Sequence, residues 1–391
     1  YINGYSQAEV GEFLDVPVST VKSRLHLARK KLQERMTDMV EETLKQHAPG
    51  KDFTRKVEEI LDGVENVEWK KGCNCFSGSV VSCMKFLKED VTYHFVAGVS
   101  GVAFHIQWAW APDNCAPEVT LGEEIVRRAF WALGYEYTLT EDFEKSSPEN
   151  SEDVWRQRII KNINNGRPVI ARGVVGPPEC CVIAGYAQEG DVLLGRSYFY
   201  KDSKGYFRQA DWYKNCFGIL EIGKKIGAPP KRQIIHETLE WAIELARTPE
   251  RNERATGFAA YDIWADALER DEDFPEDNME VLTLRCMATI NDGFGYQADV
   301  RWAASEFLSS IADECGEAAT DLKTAAKAYK EESDLHCQGM KLGPSCFAPD
   351  EEKRRIADRK LRFEIAHLIR EAGAKNRKAI EHIERAFSKL P

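Results

Sequence analysis

Hydrophobic positions at the start of the chain follow a helical period. In residues 6–14 apolar side chains are three and four positions apart, and the same spacing returns from Thr20 to about Met36. The segment Asp15-Val16-Pro17-Val18 interrupts the first pattern, and Ser19 can cap the second helix. The chain is therefore predicted to begin with a short helix, a turn and a second helix, assigned to residues 1–50.

A helical linker is predicted for residues 51–67, and the pattern then changes to short apolar runs between turn residues. Val80 to Leu87 is helix-like, whereas six later runs are strand-like: Gly101 to Trp110, Pro168 to Arg172, Cys180 to Tyr186, Val192 to Leu194, Tyr206 to Gln209 and Phe217 to Ile222. Residues 68–228 are therefore predicted to form an α+β domain.

Helical spacing returns in residues 229–391. Six helices are predicted there: Ile234 to Arg247, Ala255 to Arg270, Met279 to Ile290, Ala298 to Cys315, Ala318 to Glu332 and Asp350 to Lys389. An antiparallel α-helical bundle is the natural arrangement for such a series. The predicted fold class is thus multidomain: an all-α helix-turn-helix, an α+β domain and an α-helical bundle.

Charge is distributed unevenly along the 391 residues, whose net charge is −11. Residues 1–36 carry six cationic and four anionic side chains, a net charge of +2, so the remainder carries −13. An acidic body repels nucleic acid and anionic membranes, which leaves the N-terminal segment as the part suited to phosphate. Eleven scattered cysteines and the lack of a membrane-spanning apolar run predict a cytoplasmic protein with reduced thiols.

The second helix has the composition of a recognition helix that reads DNA in the major groove. Its small and cationic side chains predict a DNA-binding set: Ser19, Thr20, Lys22, Ser23, Arg24, Arg29 and Lys30. The alternative is an ordinary amphipathic helix pair with a solvated basic face.

The individual residues of this segment are more informative than its hydrophobic pattern. Residues 5–14 and 16–32, with Thr-Val-Lys-Ser-Arg-Leu and Ala-Arg-Lys-Lys-Leu, resemble region 4 of extracytoplasmic-function sigma factors. The resemblance implies that the helix-turn-helix reads an upstream promoter element, with RNA polymerase as a further candidate partner. The sequence starts inside the region-4 pattern, so we expect a fragment or a sigma-like DNA binder that cannot initiate alone.

A second resemblance lies in the α+β domain. A cysteine at a helix start, Asn165 to Val169, Cys180 to Tyr186 and Asp191 to Gly195 follow one another as in papain-like folds, such as bacteriocin-leader peptidases and the N-terminal domain of butirosin-biosynthesis H proteins. That resemblance implies a cysteine nucleophile at Cys75, with Cys73 as the second choice, a histidine base and an Asp or Asn that orients the histidine.

The other catalytic positions depart from that pattern. Glu179 stands where the families place histidine, and Arg196-Ser197 stands near the position of Asp or Asn. His94 or His105 could approach Cys75 by another route, although such histidines are usually structural. We therefore predict a papain-like cleft that has lost its chemistry, with catalysis by Cys75 as the alternative.

Aromatic residues are dense in the α+β domain and in two stretches of the bundle, where they can build core or line a pocket. Acidic groups near the rings, Glu179 or Asp211, could pair with a cationic ligand. The predicted ligand-binding residues are Phe104, Trp108, Trp110, Glu179, Tyr198, Tyr200, Tyr261, Trp264 and Tyr296.

The soft ligands Cys73, Cys75 and Cys83, or His336, Cys337 and Cys346, lack the paired spacing of a zinc site, so neither a metal nor a cofactor is predicted. The predicted function is a ligand-responsive transcription regulator of sigma type. It would bind promoter DNA and, between its α+β and helical parts, a hydrophobic or aromatic small molecule. Two alternatives stay open: a Cys75-dependent acyltransferase or hydrolase with a DNA-binding tail, and a body that is a protein-interaction module.

Overall fold

The computed structural model describes residues 74–111, 113–145, 147–177, 179–198 and 207–390. The predicted helix-turn-helix, its DNA-binding residues and the linker at 51–67 lie outside these ranges. The described residues belong to one compact unit that begins at Val57. Within the described residues, no helix is both long enough and apolar enough to cross a membrane.

The α+β part is built on a six-stranded, wholly antiparallel sheet with the strand order β2-β7-β3-β4-β5-β6. Its strands are β2 (Tyr135–Glu141), β3 (Val169–Arg172), β4 (Cys180–Ala187), β5 (Val192–Ser197), β6 (Phe207–Ala210) and β7 (Gly218–Lys225). A smaller sheet pairs β1 (Gln107–Trp108) with β9 (Arg254–Thr256), and β9 with β8 (Glu250–Arg251). Every residue of β3 is buried, so both faces of the large sheet are covered at its centre.

Five helices accompany the large sheet. They are α1 (Cys75–Phe86), α2 (Tyr93–Ser100), α3 (Glu118–Leu121), α4 (Glu124–Leu133) and α5 (Glu152–Asn164). Helix α1 packs against β4 and is buried on nearly all sides, as its run of apolar and small residues requires. Its first residue, Cys75, is one of the few that keeps partial exposure.

The C-terminal region is helical, as its spacing predicted. Its helices are α6 (Lys231–Arg247), α7 (Gly257–Leu268), α8 (Met279–Cys286), α9 (Tyr296–Ala312), α10 (Ala319–Leu342), α11 (Asp350–Lys353) and α12 (Arg359–Phe387). Short 3-10 turns occupy Pro148–Asn150, Gln188–Gly190, Trp212–Lys214, Asp271–Asp273, Gly316–Ala318 and Arg354–Ala357. A π-helical segment, Met287–Gly295, joins α8 to α9.

The predicted strand Gly101 to Trp110 is wrong over most of its length. Only Gln107 and Trp108 pair in a sheet, because residues 101–104 form a turn that closes α2, with Gly101 in the left-handed region at φ 88°. The edge strand β2 and the helices α2, α4 and α5 were missed by the pattern. The amphipathic α5 places only Trp155, Ile159 and Ile163 in the core.

Candidate functional site

Cys75 occupies the first position of helix α1. The side chain of Asn74 caps this helix by accepting a hydrogen bond from the Ser77 N–H at 2.8 Å. The Sγ atom of Cys75 in turn accepts a hydrogen bond from the Cys180 N–H at 3.2 Å, at the start of β4. Cys75 therefore lies at a helix start, as the papain-like resemblance implied, and beside the strand that begins at Cys180.

The cap is fixed by side chains from two parts of the fold. The Asn74 N–H donates to the Tyr93 hydroxyl at 2.8 Å, and Asn74 Nδ2 donates to the Tyr296 hydroxyl at 3.2 Å. The Tyr93 hydroxyl itself donates to Asp299, a buried residue of α9. The helix that carries Cys75 is therefore anchored to the helical region at its N-terminus.

A second thiol, Cys115, is brought to the same place by a loop. Gln107 Nε2 donates to the carbonyls of Asp113 and Ala116 on either side of Cys115, at 3.1 and 2.9 Å. Arg254 of β9 forms an ion pair with Asp113 at 2.8 Å. Gln107 and Arg254 belong to neighbouring strands of the smaller sheet, so this sheet holds the loop that carries Cys115.

Two carboxyl groups complete the cluster, which we name the seam site and define as Cys75, Cys115, Glu179 and Asp292. Cys115 Sγ lies 4.0 Å from Glu179 Oε1, and interactions with Cys75 and Cys115 influence the pKa of Glu179 and of Asp292, respectively. Asp292 belongs to the π-helical segment, a geometry that is frequent at functional sites. The seam site therefore joins the α+β part to the helical region.

The two carboxyl groups have no ion-pair partner among the described residues. Burial raises the pKa of Glu179 to about 7, and the charge of Glu118 adds to the effect. Burial likewise raises the pKa of Asp292 to about 7, with contributions from the charges of Glu179 and Asp113. The hydrogen bonds from the thiols oppose both shifts without cancelling them. Near neutral pH each carboxyl group is poised between its two protonation states.

The pKa values of the two thiols are also raised. A side-chain hydrogen bond with Cys180, burial and the charge of Glu179 raise the pKa of Cys75 well above its ordinary value. Burial and the charges of Asp292 and Glu179 do the same for Cys115. Both cysteines are therefore protonated near neutral pH, whereas a cysteine nucleophile needs the thiolate form.

No histidine hydrogen-bonds to Cys75 in the described part of the chain. His105 Nε2 lies 2.7 Å from Thr120 Oγ1, and burial together with the charges of Arg301 and Arg251 lowers the pKa of His105 to about 3. Arg196 and Ser197, at the position where the papain-like families place Asp or Asn, pair in β5 with Val182 and Cys181.

Most of the rings predicted to bind a ligand lie in the protein core. Trp108 stacks on Trp264 at 4.8 Å and contacts Trp110 edge-on at 5.2 Å, while Phe104 packs separately against Phe307. Trp110, Tyr198 and Glu179 are half-buried, and the others are buried: Phe104, Trp108, Tyr261, Trp264 and Tyr296. Tyr200 lies outside the described residues.

Of the predicted ligand residues, the structure brings only Glu179 and Tyr296 to Cys75, the latter through Asn74. Asp211 lies exposed beyond β6. The pattern missed Cys115 and Asp292. Asp292 could have been noticed, since an acidic residue beside Gly293 inside an apolar helical pattern is unusual; no comparable local signal marks Cys115.

Within the described residues, no group of three or more His, Cys, Asp or Glu side chains could hold a metal ion. Cys73, one of the soft ligands considered, is outside this range.

Residues 1–32 match the family model described as sigma-70, region 4. This match confirms the resemblance of the N-terminal segment and indicates a sigma-type DNA-binding regulator, which implies interaction with DNA and RNA polymerase. No curated protein matches the chain. The assignment therefore rests on the N-terminal segment, and the role of the other residues follows from their chemistry.

Proposed function

We propose that this protein is a ligand-responsive transcription regulator of the extracytoplasmic-function sigma type, whose body is a papain-like unit that binds a small molecule at the seam site instead of catalysing a reaction. The observation that carries the proposal is the position of Glu179, which stands where a papain-like enzyme has its imidazole. Glu179 lies 4.0 Å from Cys115, and its charge acts on Cys75 at the helix start. A protonated thiol beside a half-ionised carboxyl group is a poor nucleophile but a good hydrogen-bonding surface.

The ligand that fits the seam site has an apolar or aromatic body and a cationic group. Glu179 and Asp292 have pKa values of about 7 because no described cation compensates them, so a bound ammonium group would ionise both carboxyl groups. The aromatic cluster of Trp108, Trp110 and Trp264 lies in the same core as residues of the π-helical segment that carries Asp292.

Regulation would follow from differential affinity. The seam site joins the α+β part to the helical region, so a ligand that binds both Glu179 and Asp292 favours conformations in which these side chains are close. The ligand would change the fraction of molecules whose helix-turn-helix is bound to promoter DNA. The size of this change depends on how much the ligand affinity differs between the DNA-binding conformation and the other conformations. The DNA contacts of this proposal are those predicted for the recognition helix, with Arg24 among them.

The first test is the alkylation rate of Cys75 by iodoacetamide between pH 6 and 9, resolved by peptide mass spectrometry on the full chain. We expect Cys75 to react slowly at pH 7, and Glu179→Gln to increase the rate by roughly two- to tenfold, because a negative neighbour is removed. Glu149→Gln, an exposed glutamate outside the seam site, serves as the matched control.

The alternative, a Cys75-dependent acyltransferase or hydrolase, is favoured by one observation. Cys75 begins a helix, where the macrodipole stabilises a thiolate, and Glu179 with a pKa of about 7 could accept the thiol proton. In that case Glu179→Gln would slow alkylation near pH 7 instead of accelerating it. The sign of this single change separates the two functions.

The second test links the seam site to DNA. Promoter sequences would be selected from random duplexes with the full chain, and affinity would be measured by fluorescence anisotropy in the presence of aromatic amines that change the Trp fluorescence. We expect an amine that binds to change DNA affinity by at least about threefold, and Glu179→Gln/Asp292→Asn to abolish that change. Tight amine binding without any change in DNA affinity would refute the regulatory role.

A further inference from the structure

A groove on the α+β part carries positive charge, although the chain as a whole has a net charge of −11. It has a volume of about 980 Å³ and lies where side chains of helix α5 reach Thr140 of the edge strand β2 and Glu221 of its neighbour β7. Its lining residues are Thr138, Thr140, Arg158, Lys161, Asn162, Asn165, Arg167, Glu221 and Lys224. We refer to it as the basic groove.

The periodicity of the elements explains why these side chains converge. Arg158, Lys161, Asn162 and Asn165 are spaced at i, i+3, i+4 and i+7, so they form one face at the C-terminal end of α5. Thr138 and Thr140, two positions apart, share one face of β2. The groove is thus built by one helix face and one strand face.

The charges of the groove are not balanced. Glu221 is the one carboxylate among its described lining residues, and it is already bonded to Arg158 and to Asn162 Nδ2. Lys161 and Lys224 are exposed and form no ion pair within the described residues. The C-terminus of α5 contributes only roughly half of a negative charge, far less than the remaining cations carry.

Arg167 is held in a fixed orientation. Its Nη1 donates to the carbonyls of Ile222 and Gly223 at 3.3 and 3.2 Å, which leaves Nε and Nη2 as donors to a ligand. A guanidinium group fixed in this way loses little entropy when it binds an anion with two parallel hydrogen bonds. Thr140 Oγ1 accepts from Arg158 at 3.0 Å, so its hydroxyl hydrogen is also available to an acceptor.

We infer that the basic groove binds a compact ligand with several phosphate groups, such as an oligophosphate or the phosphate chain of a nucleotide. Convergent lysine and arginine donors in a concave site match clustered phosphate oxygens, and the volume is that of a small-molecule site. A long duplex is a weaker match, because the acidic body around the groove would repel its further phosphates. This site is independent of the seam site.

The test is isothermal titration calorimetry of the full chain with inorganic tripolyphosphate, pyrophosphate and orthophosphate at constant ionic strength. We expect saturable one-to-one binding, with affinity falling in that order. Lys161→Gln/Lys224→Gln should weaken tripolyphosphate binding by at least about tenfold, since two charge-assisted contacts are lost. Both lysines are exposed, so the substitutions leave the core unchanged.

Lys327→Gln/Lys378→Gln is the matched control. These two exposed lysines line a smaller groove on the helical region and change the net charge by the same amount. We expect less than about a twofold change in this control. Equal losses in the two variants, or no saturable binding at millimolar tripolyphosphate, would overturn the proposal.

The same variants distinguish a small phosphate ligand from the phosphates of a DNA duplex. Binding of a selected promoter duplex, followed by anisotropy, should be unchanged in Lys161→Gln/Lys224→Gln. If this variant loses duplex affinity and keeps tripolyphosphate affinity, the groove contacts nucleic acid and the inference is refuted.

Discussion

Two clusters of polar side chains in this molecule differ in whether a cation compensates their carboxyl groups. In the helical region, Glu332 is completely buried and accepts hydrogen bonds from Arg301 at 2.8 Å and Asn376 at 3.1 Å. At the seam site, the described residues place thiols, and no cation, beside Glu179 and Asp292. The first cluster is paired, whereas the second lacks a cation.

The consequence appears in the protonation of the carboxyl groups. Burial alone would raise the pKa of Glu332, yet the charge of Arg301 and the contact with His336 lower it. Burial raises the pKa of Glu179 and Asp292 to about 7, and no cation among residues that the structure describes opposes this shift. Since a fold gains nothing from uncompensated carboxyl groups that are half-buried, the seam site is the better candidate for binding.

The largest expected effect is in the paired cluster. Arg301→Met should lower the free energy of unfolding by about 3–5 kcal/mol, because Glu332 is left as an uncompensated buried charge and the Ala103 carbonyl loses its donor. Urea denaturation at pH 7 followed by circular dichroism measures this loss. Arg377→Met, which removes a partly exposed ion pair with Asp262 at 2.7 Å, is the control and should cost no more than about 1 kcal/mol. Equal losses would contradict the comparison.

The second expected effect is an increase in the free energy of unfolding, caused by Glu179→Gln. The carboxyl group of Glu179 has an ordinary pKa of 4.5 when unfolded and a pKa of about 7 when folded, so its ionisation destabilises the folded state. The wild type should lose stability relative to Glu179→Gln as pH rises from 4.5 to 7, and the variant should then be more stable by roughly 2 kcal/mol. Urea titrations at pH 5, 6, 7 and 8 measure the difference. Parallel stability profiles would mean that Glu179 is compensated in solution.

The third effect concerns the link between the two parts. Tyr93→Phe removes the hydroxyl that accepts from the Asn74 N–H and donates to Asp299. We expect a loss of about 1–2 kcal/mol in the free energy of unfolding, since a buried donor and a buried acceptor each lose a partner. The substitution should also accelerate hydrogen exchange, relative to the wild type, more at the N-terminal turn of α1 than at its C-terminal turn. An equal acceleration along the whole of α1 would contradict this anchoring role.

The smallest effect is the coupling between the two seam carboxyl groups. The charge of Glu179 raises the pKa of Asp292, so the stabilisation by Glu179→Gln and by Asp292→Asn at pH 8 should be less than additive, by about 0.5–1 kcal/mol. At pH 5 both groups are neutral, and the coupling should vanish. A double-mutant cycle at the two pH values measures it; strict additivity at pH 8 would place the two groups in separate sites.

Local pattern accounts for much of the described fold. The strands at β3, β4, β5 and β7 and the six long helical segments lie where hydrophobic spacing predicted them, because their buried faces repeat with the period of the element. The helix predicted at Val80 to Leu87 begins five residues earlier, at Cys75, because Asn74 caps it there. The papain-like assignment and the domain limits at 68–228 and 229–391 stay predictions.

What local pattern could not reveal is the partnership between distant residues. The sequence alone related residues 1–32 to sigma-70 region 4, because the residues that carry this match lie within one short segment. The tertiary structure alone brought Cys115 and Asp292 to Cys75 and Glu179, and Arg301 to Glu332. The pKa of a carboxyl group depends on the burial and charges that surround it in space, so no reading of the neighbouring residues could tell a paired glutamate from an unpaired one.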